Sequence, residues 1–170
     1  MKLLIITQKV DKNDPVLGFF YRWIEEFAKH SEKLTVICLE KGECNLQNNV
    51  EVFSLGKEKL KIKNLKLKII KKFIYTLNFL RYIWQFRKDY DTVFVHMNPE
   101  YVVLGNFFWR VMRKKICLWY VHRQVNMKLR IAEFFANKIF SVSLGSFSLR
   151  SKKVQFVGHG IDIELFKCEA

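Results

Sequence analysis

Two histidines stand where a ligand could use them. His96 closes the run Val93-Phe94-Val95-His96, and His122 closes Ile116-Cys117-Leu118-Trp119-Tyr120-Val121-His122. An imidazole at the carboxyl end of a strand can donate to a hydroxyl or anionic ligand. Arg123 adds a planar cation suited to phosphate. Asn98 and Glu100 follow His96 and bring an amide and a carboxylate to the same end. Gly158-His159-Gly160 marks a backbone turn with no room for side chains at its two glycines. Gly18 lies early in the first helical segment, after a loop where backbone N–H groups could meet a phosphate. Each has a plain alternative: a histidine bonded to a neighbouring loop, an exposed arginine, an ordinary turn around His159.

Other chemistries find no support. Gly-x-Gly-x-x-Gly, the phosphate-binding Gly-x4-Gly-Lys-Ser/Thr and Gly-x-Ser-x-Gly are all missing. Cys38, Cys44, Cys117 and Cys168 form no Cys-x-x-Cys, and the histidines show no metal-ligand spacing. Cys38 and Cys117 sit in apolar runs and read as buried thiols of a reduced, cytosolic chain.

The elements that must hold these residues alternate. Apolar runs at 2–7, 34–39, 50–55, 93–96, 116–121, 139–142 and 154–157 read as strands, with 50–55 nearer an edge. Helical patterns run from Asp14-Pro15 to about Lys29, over about 62–88, from Asn98-Pro99 to about Lys114, and over 127–137. One helical turn separates the last two strands. Alternation of this kind predicts an α/β fold: a Rossmann-like, three-layer α/β/α domain with a mainly parallel sheet. Ligands bind such sheets outside the carboxyl ends of the strands, where the strand order reverses. The candidate stretches are then 7–8, 96–100, 122–124, 141–146 and 158–162.

The 170 residues are half hydrophobic, enough for one sizeable core. The net charge of +14 is concentrated: residues 57–88 hold eleven Lys/Arg against one acid. Lys61, Lys63, Lys66, Lys68, Lys71 and Lys72 alternate with Leu and Ile. One stripe, Leu65, Ile69, Phe73, Leu77, Leu80 and Trp84, is expected to pack on the sheet. A second, Tyr75, Phe79, Tyr82 and Phe86, is expected to face outward and meet an anionic membrane surface together with the lysines. The plain alternative is a crossover helix with both stripes in the core; nucleic acid is the least favoured partner, because no recognition motif accompanies the charge. No apolar run is long enough for a signal peptide or a transmembrane helix. The expected location is cytoplasmic, with peripheral attachment at the inner face of the membrane.

The order of motifs resembles a known family. It runs Asp14-Pro15-x-x-Gly18, Asp91 to His96, Ile116 to His122, Ala136-Asn137-Lys138-Ile139-Phe140-Ser141-Val142-Ser143, then Val154 to Asp162 and Phe166. This is similar to the N-terminal domain of retaining glycosyltransferases of family 4, which have the GT-B fold, and Val157-Gly158-His159-Gly160-Ile161-Asp162 through Phe166 is the most specific part. The resemblance implies a domain over 1–163, the start of a linker or tail over 164–170, and a donor-binding second domain that the chain lacks. It implies a nucleotide-sugar donor held by that second domain, so no cofactor of its own and no activity alone. A separate donor-domain subunit is then an expected partner, beside a sugar or lipid-linked acceptor. His122 takes the place of the family's cleft histidine near the transferred sugar. Gly18, His96, Asn98, Glu100, Arg123, Gly158 and Gly160 fall on the acceptor side. Glu32-x7-Glu40 copies the family's donor signature but brackets the second strand, an accidental match. The competing reading is a non-catalytic membrane-surface or nucleic-acid-binding module on the same fold.

Overall fold

The computed structural model describes residues 1–59 and 65–160. Seven strands form one sheet in the order β3-β2-β1-β4-β5-β6-β7, every pair parallel. They are β1 (Lys2–Val10), β2 (Lys33–Lys41), β3 (Val50–Ser54), β4 (Thr92–His96), β5 (Lys115–Trp119), β6 (Lys138–Ser141) and β7 (Val154–Phe156). The crossovers are α1 (Gly18–Lys29), α2 (Leu65–Gln85), α3 (Pro99–Val111) and α4 (Met127–Phe135), with a 3-10 turn at Leu144–Ser146 between β6 and β7. The expected Rossmann-like α/β fold is what the chain adopts, with β3 at one edge. The central strands are near-continuous Val, Ile and Leu because both faces of the sheet are covered.

Right-handed crossovers sort the helices. The chain moves one way from β1 to β3, then returns across to β4 and continues to β7. So α1 lies on one face with Phe20, Tyr21, Ile24 and Ala28 in its core. Helices α2, α3 and α4 share the other, with Phe79, Ile83, Val102, Trp109, Leu129 and Ala132 buried. The order reverses between β1 and β4, and that crevice is the switch point of the sheet.

Two expectations are corrected. Helix α1 starts at Gly18, not at Asp14-Pro15: the Asp14 carboxylate accepts from the Val16 and Leu17 N–H groups and its carbonyl from Gly18 N–H, building a turn ahead of the helix. In α2 the two stripes are exchanged. Phe79 and Phe86 are buried, and Tyr75 and Tyr82 are half-buried. Phe53 of β3 packs its ring 4.3 Å from Phe86 and 5.6 Å from Tyr82, while Phe79 meets Tyr101 at 5.0 Å and Trp109 at 6.0 Å. Those neighbouring rings select the aromatic stripe. Ile69, Phe73, Leu77 and Trp84 of the other stripe are exposed. Of the lysines, Lys68 and Lys72 are exposed and Lys71 half-buried; Lys61, Lys63 and the side chain of Lys66 lie outside the described residues.

Candidate functional site

The switch point is organised by a strained residue. Met97 follows β4 with φ of 61°, in the left-handed region, which costs a non-glycine residue about 1–3 kcal/mol. Its N–H donates to the Trp119 carbonyl and its sulfur accepts from Val121 N–H at 3.3 Å. The turn throws the chain out of the sheet and ends the β4–β5 ladder at His96 opposite Trp119. His122 therefore does not share His96's register. It stands three residues beyond β5, in the following loop, a correction to the expected strand end.

His96 is 2% exposed. Its Nδ1 lies 3.2 Å from Thr7 Oγ1 on β1, and its ring stacks on Phe20 at 3.9 Å, with Phe19 and Trp23 at 6.1 and 6.3 Å. Burial pushes its pKa down to about 4, so the ring is neutral near pH 7. The expectation that His96 points into an open cleft is corrected: α1 lays an aromatic cover over it, and its contacts stitch β4 to β1 and α1. Asn98 is buried beside it. Its amide donates to the His96 carbonyl at 2.9 Å and its oxygen accepts from Gln8 at 2.7 Å, so both ends of the side chain are in use. Glu100 sits in the first turn of α3, partly exposed.

His122 and Arg123 are exposed. They line an open hollow of about 470 Å³ with Val121, Ser143, Gly145 and Ser146. The Nδ1 of His122 accepts from Gln124 N–H at 3.0 Å, which places the proton of the neutral ring on Nε2. His122 thus presents an N–H donor. Arg123 Nε donates to the Gly145 carbonyl at 2.8 Å and ties down the loop after β6. Reciprocal bonds between Ser143 and Ser146 fix that loop's 3-10 turn.

The first loop is occupied differently from the expectation for Gly18. The Asp14 bonds already consume the N–H groups of residues 16–18. Lys9 Nζ lies 2.8 Å from Asp14, 3.1 Å from Asp11 and 3.5 Å from Glu40. The hydrogen bond from Lys9, with those from Leu17 and Val16, holds the Asp14 carboxyl down to about 2. A cluster of three carboxylates around one lysine does not cradle a phosphate.

Gly158 and Gly160 adopt φ of 76° and 61°, the conformation their type allows. A Cβ on Gly160 would sit 3.3 Å from the Trp23 ring, so the chain after β7 passes back towards α1. Trp23 in turn meets Trp119 edge-on at 4.8 Å. The structure brings His96 and Asn98 together at the switch point, and His122 and Arg123 around the hollow one strand further on. Sequence reasoning missed Met97 and the cover formed by Phe19, Phe20 and Trp23; a Phe-Phe pair on one helix, with one ring forced towards the strand ends, was the available signal. Cys38, Cys44 and Cys117 are free, with Cys38 fully buried and its thiol pushed up to about 12 by burial. Among the described residues no group of three His, Cys, Asp or Glu side chains could hold a metal ion, and no helix is long and apolar enough to cross a membrane.

No family model matches the chain, and no curated protein matches it. Solved structures do. HepE (Alr3699) of Anabaena, solved in complex with UDP, is 16% identical with a TM-score of 0.60, covering 99% of this chain and 47% of that one. MurG of Acinetobacter baumannii is 11% identical with a TM-score of 0.55, over 91% of this chain and 44% of that one. A UDP-N-acetylglucosamine 2-epimerase is 12% identical with a TM-score of 0.54, over 92% and 48%. The chain spans just under half the length of each. Likeness at these identities is a likeness of fold, and that fold is one Rossmann-like half of a GT-B-type architecture.

Proposed function

We propose that the chain is the acceptor-binding half of a retaining, family 4-like glycosyltransferase that draws on a nucleotide-sugar donor. The carrying observation is the donor Nε2–H of His122, presented beside Arg123 in an open hollow at the carboxyl ends of the strands. A hollow lined by an imidazole N–H, a guanidinium and two serine hydroxyls suits a polyhydroxylated or phosphorylated ligand. It lacks the enclosed, apolar walls of a nucleobase pocket. The acceptor would be a sugar or lipid-linked hydroxyl, and the donor would sit on a companion domain, on this chain's continuation or on another subunit.

In that reading the leaving diphosphate departs towards the companion domain. His122 donates Nε2–H to an oxygen of the transferred sugar as charge builds on it. Arg123 and Gly145 keep the hollow's rim in place. His96 and Asn98 act from beneath: they hold the turn at Met97 that ends the strands at this level.

Incorporation of label from a nucleotide-sugar panel into membranes of cells producing the protein tests the reading. His122→Ala is expected to lower it by about 100-fold, the effect of losing one donor to a developing charge. His122→Gln, which keeps an N–H, is expected to recover part. Incorporation unchanged in His122→Ala, with the protein present at equal level, would overturn it.

A further inference from the structure

Helix α2 is longer than the sheet it covers. Asn78 donates to the Leu55 carbonyl at 3.1 Å, one residue past the end of β3, so the turns of α2 before Asn78 lie beyond that strand. Helices of this fold run antiparallel to the strands, which places this projecting end on the side of the strands' carboxyl ends. Ile69 is 75% exposed and Phe73 62%. The apolar line continues along the outer face through Leu77 and Trp84. From Trp84 it crosses to α3 by ring contacts, Trp84 to Phe108 at 6.3 Å and Phe108 to Phe107 at 5.6 Å, and ends on Phe107 and Val111, 68% and 67% exposed. Water alone does not favour such a surface.

Its charge identifies the occupant. Helices α2, α3 and α4 carry eight Lys/Arg against two acids, Glu100 and Glu133, and Glu133 accepts from Ser151 Oγ at 2.7 Å. Helix α2 has no acid at all. On the opposite face, α1 balances Arg22 and Lys29 with Glu25 and Glu26. A second copy of the same face would meet like charge. Duplex nucleic acid would leave Ile69, Phe73, Phe107 and Val111 without an apolar partner. An anionic bilayer satisfies both features: acyl chains take the large apolar side chains, and headgroups take the cations.

We propose that the outer face of α2 and α3, not the stripe that faces the sheet, docks this protein on an anionic membrane surface. The exposed stripe enters the headgroup–acyl boundary. Lys68, Lys72, Arg81 and Arg110 lie over the headgroups. The carboxyl-end cleft then opens beside the bilayer, at the projecting end of α2. The inference rests on the helix faces alone and stands whether or not the chain is a transferase half.

Flotation with phosphatidylcholine vesicles, with and without 30% phosphatidylglycerol, tests it. The full chain is expected to float with the anionic vesicles only, and at least tenfold less in high salt. Phe73→Asp combined with Phe107→Asp removes no core contact and is expected to reduce flotation at least tenfold. Lys68→Glu with Lys72→Glu is expected to reduce it similarly, while the same charge change at exposed Lys12 and Lys152 leaves it within twofold. Trp84 emission is expected to be quenched by brominated anionic lipid, a signal absent in Trp84→Phe. Equal flotation with both vesicle types, flotation that survives Phe73→Asp/Phe107→Asp, or a dimer in solution that this double substitution dissolves would each overturn the proposal.

Discussion

The neutral His96 makes the fold acid-sensitive in a defined window. Its pKa is about 4 in the folded chain against an ordinary 6.5, through burial alone. The rings of Phe19, Phe20 and Trp23 and the Thr7 hydroxyl surround it. Between these two values the unfolded chain binds a proton that the folded chain refuses. His96's contribution is therefore whole above pH 6.5 and is lost as the pH falls towards 4. The full shift amounts to about 3 kcal/mol, and the part lost between pH 7 and pH 5 is about 2 kcal/mol. Urea unfolding followed by tryptophan fluorescence at pH 7 and pH 5 measures it. His96→Phe keeps the stack on Phe20 but leaves Thr7 Oγ1 without its partner, at a cost of about 1 kcal/mol. The variant is expected to be the less stable protein at pH 7 and the more stable one at pH 5. Taking the difference between the two chains cancels the carboxylates that titrate in both. Parallel pH curves for wild type and variant, or an NMR titration of the His96 Cε1 proton centred near 6.5, would sink the reasoning.

Other perturbations separate packing from propensity and charge. Gly105→Ala should gain about 1 kcal/mol of helix propensity. Its new Cβ would instead sit 2.5–2.7 Å from the fully buried Trp109 ring, whose Nε1 is pinned to Tyr90 Oη, so a net loss of about 2 kcal/mol is expected in urea unfolding. Asp14→Ala removes the carboxylate that caps the first loop and faces Lys9. A lower Tm at pH 7 is expected. So is the disappearance of the stability that wild type holds above the ordinary Asp value of 3.8 and loses as pH falls through about 2, read by thermal melts across that range.

How much of this was legible depended on what each residue had to agree with. Strands and helices alternate in the sequence because both faces of a parallel sheet must be apolar and each crossover needs a helix, so the seven strands could be placed within two or three residues of their ends. What could not be read was any choice settled by a distant neighbour. Both stripes of α2 are apolar, and only Phe53 and Trp109, from other elements, decide which one faces inward. His96 and His122 end similar apolar runs, yet a positive φ at Met97 closes the ladder at Trp119. That single turn buries one imidazole under α1 and leaves the other in solvent. The two histidines then divide the work: one supports the switch point as a neutral, packed ring, and the other offers a free N–H to whatever enters the hollow. Substitution at position 96 should therefore register first in stability and its pH dependence, and substitution at position 122 in transfer alone. A site whose histidines both touched the ligand would show the reverse at position 96: an intact fold with lost turnover.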